Sequence, residues 1–495
     1  MTKETYLLLT FAGFGILFNM DERQKKLDDL RKMKIDPYPY EYKRTHTFVE
    51  IADAFEELSR SEERVASCGR ILAIRGHGKT VFATLGDETS KLQVYLRQDK
   101  LGDKFPIFGL FDIGDIIGVS GNIFKTKTGE ITVLVDDFVI LAKALRPLPE
   151  KWHGLKDVEI RYRKRYLDLI ANPEVRQIFK KRTKLIGFIR KFFDDNGFIE
   201  TETPILQPIY GGGEANPFKT YYNALERDMY LRIADELYLK RLIVGGYEKV
   251  YEICRDFRNE GIDRFHNPEF SMIEAYQAYT DYEGIMVLVE NLLEYLIKSM
   301  GYPGKLKFRG REVEFKRPFA RIKYTKALNE KIGADILAID ESKLDKICYE
   351  HGIDHKILSL GAKIDKLFSE LIQKNIIEPT FIIDHPKIIS PLAKGHREDK
   401  RLVERFELVM FGTEIANAFS ELNDPVEQRE RFEMQLAQKE EGISEIDEDF
   451  LEALEYGMPP TGGLGIGIDR LCMVLLDQPS IRDVILFPQL RKEKQ

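Results

Sequence analysis

The residues best able to do chemistry lie at positions 251–276, in the stretch YEICRDFRNEGIDRFHNPEFSMIEAY. Its alternation predicts two β-strands joined by a long loop, with Arg258 and Glu260 on one face of the first strand. One face of the second strand carries Phe270, Met272, Glu274 and Tyr276. An arginine fork suits a phosphate, an aromatic face suits a base, and a carboxylate suits an exocyclic amine. The hairpin could therefore bind a nucleotide, although a sheet face with surface salt bridges explains FRNE equally well.

The loop of this hairpin adds positive charge. Gly261 and Pro268 break the chain, and Arg264 and His266 lie between them. We therefore expect a basic loop beside the nucleotide-binding face.

A second hairpin, ERFELVMFGTEIANAFSELND at positions 404–424, carries carboxylates. A two-residue turn at Phe411 and Gly412 places Val409 opposite Glu414, and Glu407 is then a diagonal neighbour of Glu414. Two carboxylates this close repel each other unless a cation lies between them, so the pair predicts Mg²⁺ held together with nucleotide phosphates. A solvated hairpin is the alternative.

Strict alternation in this hairpin places Glu421 and Glu414 on opposite faces. Both can face one site only if a bulge or bend interrupts the strand.

Two glycine-rich stretches could let backbone approach a ligand closely. GGLGIGIDRLCMVLL, at 462–476, predicts a strand that turns into a helix near Arg470, and GGGEANPF, at 211–218, predicts a loop. In MYLRIADELYLKRLIVGG, Asp235 and Gly245 are the predicted N-cap and C-cap of a helix, so Glu236 projects from its first turn.

Composition limits the elements that position these residues. A chain of 495 residues with 43% hydrophobic residues predicts two or three globular domains. Its four cysteines contain no CxxC pair, which argues against a disulfide framework or a zinc site and indicates a cytoplasmic protein. The net charge of -7 leaves nucleic-acid binding open, because that depends on local basic patches.

The first 60 residues divide into two segments. Positions 5–18 are apolar and could be the core of a signal peptide, but they are too short to span a bilayer and no small-residue cleavage site follows. We interpret residues 1–19 instead as an extension that precedes the true start at Met20. Residues 20–60 are the predicted N-terminal helical segment, in which Leu27, Leu30 and Met33 recur at helical spacing up to about residue 35.

Residues 61–147 contain five short alternating strands separated by turn signals, which predicts a small β-barrel of the OB-fold type. Such barrels often bind single-stranded nucleic acid, although a purely structural barrel shows the same pattern. Residues 148–495 form the remaining domain, with a predicted helical insertion at 310–380. Its helix from Val175 to Asn196 leads into GFIETETPIL, where Pro204 predicts a strand at an edge or interface.

These stretches resemble one family. FRNEGIDRFHNPEFSMIE resembles motif 2 of class II aminoacyl-tRNA synthetases, in the form carried by lysyl-tRNA synthetases. GFIETETPIL with its helix resembles motif 1, GGLGIGIDRLCMVLL resembles motif 3, and GKTVFATLGD, KLQVYLR and FKTKTGEITV are similar to the anticodon-binding domain. The resemblance implies an α+β protein in which a five-stranded OB-fold barrel precedes a catalytic domain built on an antiparallel sheet flanked by helices. It also implies a homodimer formed through motif 1.

The resemblance implies ATP-dependent activation of L-lysine and transfer of the lysyl group to the terminal adenosine of tRNA(Lys), with Mg²⁺ as cofactor. It implies that Arg258 and Arg470 are catalytic. The implied ATP contacts are Arg258 at the α-phosphate, Glu260 at the adenine amine, Phe270 and Arg470 on the two faces of the base, and His266 at the terminal phosphates. Glu407 also contacts ATP, and Glu407 and Glu414 hold Mg²⁺.

Selection of lysine needs a buried anion for the ε-ammonium, and we assign this role to Glu421 with Tyr276. The resemblance places Glu236 at the α-amino group. The predicted lysine pocket is completed by Gly212, Glu274 and Asn417. In the barrel, the implied anticodon contacts are Phe82 by stacking and Arg75, Gln93 and Glu130 by hydrogen bonds to base edges.

Two other interpretations stay open. An aspartyl or asparaginyl enzyme needs a cationic pocket, whereas FSELND offers an anionic one. A paralogue that is non-catalytic or independent of tRNA is disfavoured by the intact arginines and the intact barrel.

Overall fold

The computed structural model describes residues 20–149, 155–213, 215–354, 358–438 and 445–492. The predicted extension at 1–19 lies outside these ranges. The chain divides into two compact units, and the division falls between residues 156 and 157. Among the described helices, none has the length and apolar character needed to cross a membrane.

The first unit begins with helices. Residues 20–32 form α1, followed by α2 (Phe48–Asp53) and α3 (Phe55–Ser61). Leu27 and Leu30 are buried as the helical spacing predicts, but Met33 lies beyond the end of α1 and is exposed. The helix therefore ends earlier than predicted.

A closed five-stranded barrel follows, and the predicted OB-type architecture is confirmed. Its strands run in the spatial order β1-β2-β3-β5-β4, and apolar residues alternate into its core. The elements are β1 (Val65–His77), β2 (Thr80–Gly86), β3 (Lys91–Arg97), α4 (Gln98–Leu101), β4 (Ile116–Lys125) and β5 (Ile131–Ala142).

The second unit contains thirteen named strands in its described part. They are β6 (Ile199–Glu200), β7 (Leu206–Gln207), β8 (Phe218–Tyr222), β9 (Arg227–Leu231), β10 (Lys249–Phe257), β11 (Glu269–Ala278), β12 (Lys305–Phe308), β13 (Arg311–Glu314), β14 (Ala320–Lys323), β15 (Thr380–Pro386), β16 (Leu402–Met410), β17 (Thr413–Ser420) and β18 (Thr461–Gly467).

Eight of these strands form one sheet, in the order β14-β15-β16-β17-β18-β11-β10-β6. The six strands from β15 to β10 are antiparallel, as predicted, but β14 and β6 pair in parallel at the two edges. The sheet is therefore mixed. β7, β9 and β8 form a small separate sheet, and β12 pairs with β13.

The described part of this unit has twelve named α-helices. They are α5 (Val158–Arg163), α6 (Arg165–Ala171), α7 (Pro173–Asp195), α8 (Glu236–Val244), α9 (Tyr282–Ser299), α10 (Tyr324–Ile332), α11 (Glu341–Glu350), α12 (Leu360–Leu371), α13 (Pro425–Gln438), α14 (Glu448–Glu455), α15 (Ile468–Leu475) and α16 (Ile481–Val484). Buried residues of α7, α9 and α15 share one core with the sheet, while α10, α11 and α12 pack around a smaller core with β15.

The motif 1 segment differs from its prediction in one respect. α7 leads through Gly197 into β6 at the sheet edge, but Pro204 lies in the loop between β6 and β7. The prediction that Pro204 stands within a strand is wrong, since pairing stops before the residue that lacks an N–H donor.

Candidate active site

The central strands bring the predicted lysine-binding residues to one place. β18 lies between β11 and β17 and pairs Gly465 with both Glu274 and Asn417. Gly463 pairs with Tyr276 on one side and Phe419 on the other. A Cβ on Gly463 would lie 1.8 Å from Oε1 of Glu421 and 2.7 Å from Cε1 of Tyr276. The glycines of β18 therefore leave the space in which side chains from both neighbouring strands meet.

The result is a buried acidic pocket. Glu236, Glu274, Tyr276 and Glu421 are all buried, and the Tyr276 hydroxyl donates a hydrogen bond of 2.9 Å to Oε2 of Glu274. Burial raises the pKa of Glu274 well above its ordinary value, and the neighbouring Asp235 and Glu236 raise it further. Acidic groups are thus crowded together in a buried space.

One cation lies inside this pocket, and the sequence analysis missed it. The ammonium of Lys240 forms ion pairs with both Glu236 and Glu421, and the Lys240 side chain has no exposed surface. The sequence signal for this pair was the four-residue spacing between Glu236 and Lys240 on α8, because residues four apart lie on the same face of a helix.

A bulge in β17 determines which side chains of the second hairpin lie on the same face of the sheet. The pairing confirms Val409 opposite Glu414, but Leu408 faces Ala416 and Glu407 faces Asn417, so Ile415 is an extra residue. The bulge shifts the alternation by one position, and Glu414 lies on the same face as Asn417 and Glu421. This supplies the interruption that the sequence required. Glu407 lies two residues from Val409 on the same face and is therefore still a diagonal neighbour of Glu414, while its direct partner across the ladder is Asn417.

The two predicted metal ligands are each paired with an arginine. Oε1 of Glu407 accepts 2.6 Å from Nη2 of Arg405, and Oε2 of Glu414 accepts 3.0 Å from Nη1 of Arg470. Burial acts to raise the pKa of Glu407, but Arg405 and His385 outweigh it and hold the pKa at about 2. An ionised carboxylate is the hard oxygen donor that Mg²⁺ prefers, so this donor set fits the ion.

The predicted nucleotide contacts form two groups. The guanidinium carbon of Arg258 lies 5.2 Å from the ring centroid of Phe270. In the second group, Nη2 of Arg470 lies 3.2 Å from Nε2 of His266, and Nδ1 of His266 lies 2.9 Å from Oδ2 of Asp263. Arg470 thereby connects the basic loop to Glu414.

The first hairpin arm is shorter than predicted. β10 ends at Phe257, so Arg258 and the exposed Glu260 lie in the loop and not on a strand face. The residues opposite Phe270, Met272 and Glu274 are instead Asp256, Cys254 and Glu252.

A buried cluster next to the pocket was not predicted from the sequence. One ligand-type atom each from Asp235, Cys254 and Asp256 lies within 4.8 Å of the others. Asp235 stands at the predicted N-cap of α8, but its side chain makes no capping hydrogen bond to the described residues. Burial, with like charge nearby, raises the pKa of both aspartates to about 8. Inward alternation along β10 was the available signal for Cys254 and Asp256.

Gly212 lies against the start of α8. A Cβ at this position would stand 3.2 Å from the Cβ atoms of Ala234 and Glu236, and the residue has a φ of +83°. Only glycine fits this close approach without strain. The neighbouring residue 214 lies outside the described residues.

The predicted anticodon residues lie in the first unit, on the barrel. Arg75 pairs with Phe82, and Phe82 pairs with Tyr95 on the next strand. The rings of Phe82 and Tyr95 stack with centroids 4.2 Å apart. Gln93 accepts a hydrogen bond of 3.0 Å from Thr132 Oγ1, and Glu130 is exposed in the loop before β5. Tyr95 was not predicted, although the alternation of KLQVYLR places it on the face of Gln93.

Each of the two units matches a known protein family. Residues 157–491 match the family of class II tRNA synthetases (D, K and N). Residues 65–141 match the OB-fold nucleic acid binding domain. The fold and the site therefore define a class II tRNA synthetase with an N-terminal OB-fold.

Similar curated proteins show to which family within this class the chain belongs. The lysine-tRNA ligase of Thermotoga maritima is 51% identical over 483 residues, which cover 96% of each chain. That of Carboxydothermus hydrogenoformans is 52% identical over 475 residues, or 95% of this chain and 97% of its own. That of Fervidobacterium nodosum is 51% identical over 479 residues, or 96% and 94%. The chain belongs to the lysine-tRNA ligase family.

Proposed function

We propose that this chain activates L-lysine with ATP to form lysyl-adenylate and transfers the lysyl group to tRNA(Lys). The observation that carries the proposal is the buried acidic pocket in which Glu421 and Tyr276 meet across Gly463. A buried carboxylate provides the counter-charge that an ε-ammonium needs once it leaves water. Aspartate and asparagine have no ε-ammonium, so the pocket favours lysine over the other two amino acids that the matched family names.

The residues of the pocket have distinct roles in holding lysine. Glu421 accepts the ε-ammonium, with Tyr276 beside it, and Glu236 at the start of α8 accepts the α-amino group. Glu274 and Asn417 face each other across β18 and line the pocket between these ends. Gly212 keeps the loop backbone close to the α-amino end.

The first step needs positioning and charge neutralisation more than a protein base, because the lysine carboxylate is already an anion. It attacks the α-phosphorus of ATP in line, and pyrophosphate leaves. Arg258 contacts the α-phosphate from beside Phe270, which stacks on one face of the adenine. Arg470 covers the other face of the adenine, and Glu260 accepts a hydrogen bond from the adenine amine. His266 contacts the terminal phosphates.

We assign Mg²⁺ to Glu407 and Glu414. When bound, the ion neutralises charge that develops on the phosphates. Arg405 donates a hydrogen bond to Glu407 and Arg470 donates one to Glu414, and these contacts hold the two carboxylates in place.

The barrel reads the anticodon in this proposal. Phe82 stacks on one base, and Arg75, Gln93 and Glu130 contact base edges; stacking with polar contacts is how splayed bases are recognised. The aromatic pair of Phe82 and Tyr95 supports this role.

We further propose a cytoplasmic homodimer. All four cysteines are free, which agrees with a reducing compartment. Around motif 1, large apolar side chains are about half exposed, and a second copy of the chain would bury them. They include Ile199, Ile205, Leu206, Tyr221 and Leu225.

Amino-acid-dependent exchange of pyrophosphate into ATP tests the proposed function. We expect lysine alone among the standard amino acids to support rapid exchange. Exchange that depends on aspartate or asparagine, or on no amino acid, would contradict the proposal.

A further inference from the structure

Lys240 occupies an unusual position for a lysine. It lies on α8, one turn after Glu236, while Glu421 comes from a different element, directly after β17. Its ammonium forms ion pairs with both carboxylates, and its side chain is fully buried. The same ammonium lies 5.5 Å from the ring centroid of Phe419. A protein lysine therefore already joins the two carboxylates assigned to the two ammonium groups of the substrate.

We propose that Lys240 is a positioning residue for lysine recognition, which holds Glu421 in place relative to Glu236 and favours its ionised form before the substrate binds. This inference rests on the proposed function, because it concerns the same pocket. Lys240 touches neither reacting atoms nor cofactor in the proposal and acts through the two glutamates.

The charges around Lys240 explain why the pocket needs it. Glu236 faces it from its own helix, Glu421 from the end of β17, and Glu274 with Tyr276 line the pocket from β11. Buried carboxylates that face each other without a cation cannot all remain ionised, and one takes up a proton. A proton on Glu421 would remove the anion on which lysine selection depends.

The direction of the pH effect follows from the same charges. Burial raises the pKa of Glu421 well above its ordinary value, Lys240 opposes that increase, and Glu236 adds to it. Without Lys240 the pKa of Glu421 rises further. The acid limb of the pH profile of kcat/KM for lysine then moves to higher pH, because the substrate binds only when Glu421 is ionised.

The experiment compares two lysine substitutions of the same kind. Lys240→Met removes the charge in the pocket. Lys363→Met is the control, because Lys363 is also a buried lysine that joins two carboxylates, with Nζ 2.8 Å from Glu341 and 2.7 Å from Asp345 on the α11 and α12 pair. Lysine-dependent pyrophosphate exchange is measured across pH 6 to 9, with KM for lysine and for ATP determined separately.

We expect Lys240→Met to raise the KM for lysine at least about tenfold at pH 7, since one partner of a buried charge pair is lost. The KM for ATP should stay within about twofold, and the acid limb of kcat/KM for lysine should move to higher pH. Lys363→Met should leave all three quantities at the wild-type values. The double variant with Glu421→Gln should raise the KM for lysine no more than Glu421→Gln alone, because both changes act through one carboxylate.

Several results would overturn the inference. They are an unchanged acid limb, equal losses for lysine and ATP, or a lower KM for lysine, which would make Lys240 a competitor of the substrate. If Lys240→Met does not fold, Lys240→Arg decides: it retains the charge, so its acid limb should match the wild type, and a shifted limb refutes the role. Wild-type protein without lysine-dependent exchange would instead refute the proposed function itself.

Discussion

Glu421→Gln is the sharpest test of how the pocket selects lysine. The side chain of Glu421 is fully buried, and Gln keeps its shape while removing its charge. Loss of one partner of a buried charge pair costs about 2 to 5 kcal/mol. We expect the lower part of that range, because Glu236 and Glu274 remain in the pocket and retain part of the negative potential. A cost of about 2 to 3 kcal/mol corresponds to an increase of about 30-fold to 150-fold in the KM for lysine.

The assay is lysine-dependent pyrophosphate exchange with both substrates varied. The KM for ATP should change less than about twofold, since the proposed nucleotide contacts are Arg258, Phe270 and Arg470 and do not include Glu421. Glu290→Gln is the matched control, because Glu290 is a buried glutamate of the same unit that accepts the backbone N–H of Phe319. A KM for lysine within about twofold of the wild type would refute the assignment of Glu421.

Three further predictions test other parts of the molecule. Glu414→Ala should raise the Mg²⁺ concentration needed for exchange and lower the maximal rate; an unchanged Mg²⁺ titration would place this carboxylate outside the metal site. Phe82→Ala should raise the KM for tRNA without affecting lysine activation, because it removes a stacking platform worth about 1 to 3 kcal/mol per base; equal loss in both assays would mean that Phe82 supports the fold. The pKa of Asp235 is about 8, far above that of an unfolded aspartate, so the folded state binds its proton more tightly and loses stability as pH rises from 5 to 8. Asp235→Asn should reduce this loss in thermal melts, and equal slopes for the two proteins would show that Asp235 is not responsible.

The sequence predicted the second hairpin well because two local rules agree there. The turn at Phe411 and Gly412 fixed the register, and the structure pairs Val409 with Glu414 as that register requires. The conflict between Glu414 and Glu421 correctly indicated a bulge. Its location at Ile415 was not predictable, because Ile415 and Ala416 are both apolar and both enter the core beside Leu408.

The prediction for the first hairpin was wrong where the alternation of the first strand continues beyond the end of its partner strand. The alternation of RDFRNE predicts a strand through Glu260, but a strand also needs a partner that can complete its hydrogen bonds. Opposite Arg258 stands Pro268, which accepts a hydrogen bond from the Arg258 N–H but has no N–H to return. The ladder therefore stops at Phe257, and Arg258 and Glu260 extend from the loop.

The buried charges were the least predictable part of the site. Helical spacing places Lys240 on the face of Glu236, yet most such pairs are solvated. Only the packing of α8 against β11 and the end of β17 buries Lys240 with Glu421. The same holds for Asp235, which resembles an ordinary N-cap in the sequence but is directed toward Cys254 and Asp256.

β18 explains why the acidic groups can converge at all. In most sheets a central strand fills the space between its neighbours with side chains. Here the central strand contributes glycine at each position that faces the pocket, so carboxylates from β11 and from the end of β17 approach across it. That approach has an electrostatic cost, because like charges gather in a buried space. Lys240 offsets part of this cost in the free protein, and the two ammonium groups of a bound lysine offset more. The pocket is therefore most favourably occupied by a ligand that carries two positive charges, and among the three amino acids that the matched family names only lysine does.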